Sequence, residues 1–205
     1  MPKFNFITLL ACFFSSVAIA NDCVSYKMTP KITILTPSWT KEVVQPLEPM
    51  DLWHGNVIAT MVDNYDIVAD ITSIEDGFCV GVKKVDAEIG YSNFLVQVDI
   101  RHIPNTCSYD AVLLHEDQHI REYLSVIDDF KVELHNALYS AADSVMPIFV
   151  SNTDEIDDAI EQLNNKIQTH PEMVIIKQKI KAEEEIRNKR IDKNDNGDML
   201  KKCFI

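Results

Sequence analysis

The stretch CVGVKKVDAEIGYSNFLVQVDI, residues 79–100, decides the fold. Its β-branched residues favour strand, and its second half alternates cleanly, with Phe94, Val96, Val98 and Ile100 on one face. Gly90 to Asn93 bring together the glycine, serine and asparagine that turns favour, so the stretch reads as a hairpin turning there. Upstream, KITIL (31–35), NVIATMV (56–62) and YDIVADITSI (65–74) are further β-branched runs, broken by Pro, Gly, Asn and Asp. Together they predict a small antiparallel sheet over about residues 31–101.

Beyond Pro104 the period changes from two to 3.6. Ser108 reads as an N-cap and Asp110 suits the first turn, and Ile120, Tyr123, Ile127, Phe130, Leu134 and Ala137 then recur at helical spacing. This helix should run from Ser108 to about Ala142. Asn152, with Glu155 three residues on, opens a second helix through Ile156, Ile160, Leu163 and Ile167, which Pro171 kinks or breaks. A third stripe of Ile176, Ile180 and Ile191 carries helix to about Arg190. The predicted class is α+β: a small antiparallel sheet followed by a long antiparallel helical hairpin, in one domain over 21–205.

Residues 1–20 carry Lys3, an apolar run and the small-residue pattern Ala18-Ile19-Ala20, which reads as a secretory signal peptide cleaved before Asn21. A lipoprotein box, Leu9-Leu10-Ala11-Cys12, is the rival reading. No later segment is apolar enough to span a membrane, so the mature chain is expected to be secreted or periplasmic. The formal net charge of -13 opposes binding to nucleic acid and anionic lipid and points to neutral or basic partners. Cys23, Cys79, Cys107 and Cys203 remain after cleavage, an even number suited to disulfides in an oxidising compartment. Of the three connectivities, Cys79 with Cys107 and Cys23 with Cys203 is expected, because the first bridge would brace the sheet against the long helix.

On that helix lies LLHEDQHIREY, residues 113–123. Residues i and i+4 share a helix face at about 6 Å between Cβ atoms, so His115 and His119 can aim both imidazoles at one zinc ion. Glu116 falls between them on the inward stripe, where a carboxylate is expensive to bury without a cationic or hydrogen-bonding partner. That placement suits a general base that takes a proton from an activated water. Tyr123, one turn beyond His119, either donates to an oxyanion or simply packs in the core. The plain alternative is a pair of hydrogen-bonded histidines and an ordinary charge.

HEDQH resembles the HExxH zinc metallopeptidase superfamily, the zincins. CSYDAVLLHEDQH (107–119) is similar to a group of secreted bacterial proteins with the pattern C-x-Y-x-x-V-x-x-H-E-x-x-H, regarded as zinc-dependent proteases. The likeness covers about residues 79–124, with a weaker echo in RIDKNDNGDMLKKC (190–203). It implies His115 and His119 as zinc ligands, Glu116 as general base, and a peptide or protein substrate that pairs with a sheet edge formed by residues 94–101. Asp117 departs from the pattern, since that position is uncharged in most such peptidases.

Catalytic zinc takes three protein ligands and a water. If the second helix returns antiparallel, the residue facing His115 lies within a turn of Lys181, which brings Glu184 forward as the third ligand, with Glu183 and Glu185 beside it. His54 or His102 could instead be delivered by a loop. Residues 192–198, DKNDNGD, match the first half of a Ca2+ loop through Asp192, Asn194, Asn196, Gly197 and Asp198, but Cys203 stands where the closing glutamate belongs. A helix end with Gly197 in a left-handed cap is the simpler reading. The expected activity is zinc-dependent peptide hydrolysis; the rival is a non-catalytic secreted binding protein with a degenerate metal site.

Overall fold

The computed structural model describes residues 23–50, 54–195 and 197–204. The signal peptide over 1–20, with the rival lipoprotein box at Cys12, lies outside the described residues, as does Asn196 of the proposed calcium loop.

The chain forms β1 (Lys31–Leu35), β2 (Thr40–Val44), β3 (Gly55–Ile74), β4 (Gly77–Val98), α1 (Cys107–Ser144), β5 (Ile148–Val150), α2 (Ile156–Gln168), α3 (Pro171–Asp195) and α4 (Asp198–Lys201). Short 3-10 turns at Cys23–Tyr26, Thr153–Glu155 and Lys202–Phe204 complete it. The small antiparallel sheet expected from the sequence is corrected in two ways. The sheet is mixed and five-stranded, with β1 and β2 both parallel to β4, and β3 and β5 antiparallel to it. There is also no hairpin at Gly90–Asn93, because β4 runs straight through as one strand of 22 residues.

The physical reason lies in the register. Thr60 pairs with Asn93 and Met61 with Tyr91, so Ser92 is an extra residue, a bulge. Val85, Ala87, Ile89 and Tyr91 are buried before it, and Phe94, Val96 and Val98 after it. One inserted residue moves the alternation from odd to even numbers and keeps the apolar side on the core. Gly90 marks a close approach: it sits at φ 151°, and a Cβ there would press on the Pro37 ring at 2.9 Å. The real turn is Glu75-Asp76, between Ile74 and Gly77. Ile100, expected to share the core face, lies beyond the end of β4 and is exposed.

Helix α1 spans 38 residues and is capped by the side chain of Thr106, which accepts from Tyr109 N, in place of the expected Ser108. Ile120, Ile127, Leu134 and Ala137 are buried in the same core cluster as the sheet. The return arm is two helices. Residues 169–170 break it and Pro171 opens α3, a position where its missing N–H costs nothing. α3 runs antiparallel to α1, since Lys179 meets Glu133 at 3.2 Å, Arg187 meets Asp129 at 2.8 Å and His119 meets Asn188 at 2.7 Å.

The disulfide pairing differs from the expected one: Cys23 joins Cys79, and Cys107 joins Cys203. The first anchors the N-terminal turn to β4, and the second ties the start of α1 to the turn that follows α4. Paired cysteines fit an oxidising compartment. Among the described residues, no helix is long and apolar enough to cross a membrane.

Candidate metal centre

The third and fourth turns of α1 and the last turns of α3 meet at one point. His115 and His119 bring their Nε2 atoms to 3.2 Å. Asp192 places Oδ1 at 3.1 Å from His119 Nε2 and at 3.4 Å from His115 Nε2. These three donors form the one group of metal-ligand type found among the described residues. Donors on a tetrahedral zinc with bonds of about 2.0–2.1 Å stand about 3.3 Å apart, so the donor set fits that ion.

The far sides of both rings lie against α3. His119 Nδ1 is 2.7 Å from Asn188 Oδ1, so Nδ1 carries the hydrogen and donates. His115 Nδ1 is buried with Asp195 Oδ2 at 3.0 Å, a close contact off the line of a straight hydrogen bond. A hydrogen on each Nδ1 would leave two Nε2 lone pairs facing a carboxylate oxygen, an arrangement that a proton or a metal ion would relieve. Asn188, Asp192 and Asp195 fall at i, i+4 and i+7, one face of α3. Asn188 and Asp195 lie on the Nδ1 sides of the rings, where the partners of metal-bound imidazoles stand, and Asp192 faces the two Nε2 atoms.

Glu116 is 3% exposed and borders the same space. Burial, reinforced by the negative charges of Asp192 and Asp117, pushes its carboxyl up to about 8. Its room is made by Gly55, the first residue of β3, where a Cβ would collide with Glu116 and Val112. Two cavities open on the donors: one of about 220 Å³ reaches Tyr123 and β3 residues Gly55 to Val57, and another of about 160 Å³ lies against Val112 and α4. Asp117 is paired with Lys41 of β2 at 2.7 Å, which accounts for a charge at that position.

The structure therefore brings together His115, His119, Glu116 and Tyr123. Glu184 is elsewhere. It is buried, 9% exposed, and accepts a hydrogen bond from Tyr91 OH, two turns before Asp192 and about 12 Å away along the helix. Burial raises its carboxyl while the Tyr91 bond opposes the rise. Tyr123 stacks edge-on against Tyr91 at 5.1 Å and so packs and borders the site at once. His54 and His102 bond to each other at 2.9 Å. In the calcium-loop segment, Asp192 and Asp195 face the imidazoles and Asp198 pairs with Lys201 at 2.9 Å, so these carboxylates do not converge. Gly197 caps α4 in the left-handed conformation at φ 74°. Residues 94–97, expected at a sheet edge, are paired on both sides, by β2 and β3; the strand that faces the site is β3, which pairs with β4 alone.

Sequence reasoning missed Asp192, Asn188 and Asp195 as a unit. Comparison of the chain with family models, with curated proteins and with solved structures finds no match.

Proposed function

We propose that the protein is a secreted or periplasmic zinc-dependent hydrolase that cuts peptide bonds. The observation that carries this reading is the convergence of His115 Nε2, His119 Nε2 and Asp192 Oδ1 at 3.1–3.4 Å beside a buried glutamate. Zinc, when bound, supplies Lewis acidity and lowers the pKa of a coordinated water to about 7.

The chain's own residues then divide the work. Glu116 takes up a proton and returns it to the leaving amine; a cation beside it favours the ionised carboxylate that this requires. Tyr123, in the wall of the larger cavity, is placed to donate to a developing oxyanion. Asn188 orients the His119 ring through Nδ1, and Asp195 lies against the Nδ1 side of His115. The unpaired edge of β3 offers backbone groups to an extended peptide, in place of the expected 94–101 edge.

The test combines metal content with turnover of casein. The wild-type protein should carry one zinc per chain and cut casein, and His119→Ala should carry none. Glu116→Gln should keep the zinc and lose at least about a hundredfold in rate. Retained zinc with no turnover in the wild type on casein or a broad peptide library would favour the binding-protein rival.

A further inference from the structure

The two disulfides differ in what can reach them. Cys23 is 5% and Cys79 1% exposed, so the first bridge is sealed in the protein. Cys107 is exposed and Cys203 half-buried, so the second bridge stands open to a thiol in solution. Exchange requires access of a thiolate to one of the two sulfurs, and only the second bridge grants it.

The second bridge also holds a segment that backs the candidate metal centre. The Met199 N–H donates to Asp195 Oδ1 at 3.1 Å, while Asp195 Oδ2 lies 3.0 Å from His115 Nδ1. Non-covalent anchoring of this segment is light. No residue of α4 or of the turn after it is buried, Leu200 packs on the core from a half-buried position, and Gln118 Nε2 meets Met199 Sδ at 3.9 Å. The buried core lies in the sheet and in α1 to α3, so the fold itself does not depend on this segment.

Resting on the zinc reading of the site and not on its hydrolytic part, we infer that the Cys107–Cys203 bridge is a redox switch for the metal centre. A thiolate attacks Cys107, the more exposed partner; the S–S bond breaks, and Cys203 leaves as a thiolate that takes a proton from water. A second thiol resolves the mixed disulfide and frees Cys107, so two electrons pass to the bridge and the two reductant thiols end as a disulfide. The freed segment lets go of Asp195, and His115 loses its backing. Zinc and the closed bridge favour the same arrangement, so each strengthens the other by the same factor.

Oxidised, zinc-free protein equilibrated in graded glutathione buffers tests this, with free thiols blocked by iodoacetamide and located by peptide mass spectrometry. Cys107 and Cys203 should be blocked while Cys23 and Cys79 stay paired, and circular dichroism should show the fold retained. By chelator competition, the opened protein should bind zinc at least about tenfold more weakly, and a Cys107→Ser, Cys203→Ser variant, which carries no blocking group, should match it. Saturating zinc should shift the opening equilibrium by the same factor, tenfold being about 30 mV. Opening of both bridges together, loss of the fold on opening the one, or equal zinc affinity of the open and closed forms overturns the inference; the last leaves the zinc reading standing. An oxidised protein that takes up no zinc brings down both.

Discussion

Asp192 reaches His119 across the helix pair, Oδ1 to Nε2 at 3.1 Å, from a part of the chain that is joined to the start of α1 by the Cys107–Cys203 bridge. The candidate centre is thus shared between two antiparallel helices, and its integrity depends on how they are held together.

The partners behind the rings should tune metal affinity without carrying it. Asn188→Ala and Asp195→Ala are each expected to weaken zinc binding about 10–100-fold, because each frees one imidazole to turn. Asp192→Ala removes a donor and should weaken it more. Competition with a chelator of known affinity ranks the three; an Asp192→Ala protein that binds as tightly as wild type would remove Asp192 from the donor set.

Loss of the second bridge should act on stability and on the site together. A Cys107→Ala, Cys203→Ala double variant is expected to lose about 2–5 kcal/mol in urea unfolding. It should also bind zinc more weakly, since the chain beyond Asp195 is no longer tied to α1. Lower stability with unchanged zinc affinity would show that the α1–α3 packing alone holds the donors.

Gly55 permits β3 to pass against Glu116. Gly55→Ala should destabilise the fold by about 1–3 kcal/mol through overpacking, and should reduce turnover more than zinc content. Thermal unfolding with metal analysis checks both; a variant with wild-type stability and rate would mean that the strand shifts freely.

The buried carboxylate of Asp99 predicts a pH effect. Arg101 pairs with it at 2.7 Å, and the backbone N–H groups of Arg101 and Met50 donate to it, which holds the carboxyl well below the usual range. Its folded pKa lies under the unfolded value of about 3.9, so its contribution is full above that value and is lost as pH falls through the folded pKa. The urea midpoint should therefore drop between about pH 4 and pH 2, and Asp99→Asn should flatten the drop. The same slope in both proteins would assign acid sensitivity to other carboxylates. Asp99 N also donates to His54 O at 2.9 Å, so acid loosening here acts next to Gly55.

How far the sequence could be read is clearest at particular residues. The stripe from Ile120 to Ala137 announced α1 and placed Glu116 inward, and the i, i+4 histidines announced their own proximity, because both are local consequences of helix geometry. The strand order was not local. Nothing in KITIL or TKEVV says that they add to β4 in parallel, and G-Y-S-N has the composition of a turn although it forms a bulge. The stronger hairpin signal was Asp76-Gly77, at the actual turn. The third donor was missed for a related reason. Counting back along a simple hairpin set Lys181 opposite His115, but β5 joins the sheet and α2 packs on it before α3 begins its return, which shifts the register by about three turns to Asp192. The usable signal was the spacing of Asn188, Asp192 and Asp195 on one helical face, the last two inside the segment 190–203 that already echoed the protease-like pattern.

Anomalous diffraction at the zinc edge, from crystals of the oxidised protein grown with stoichiometric zinc, tests the central claim most directly. A single strong peak within about 2 Å of His115 Nε2, His119 Nε2 and Asp192 Oδ1 is the predicted result. A protein that takes up no zinc, or a peak bonded to other residues while the two imidazoles stay free of it, would contradict the account.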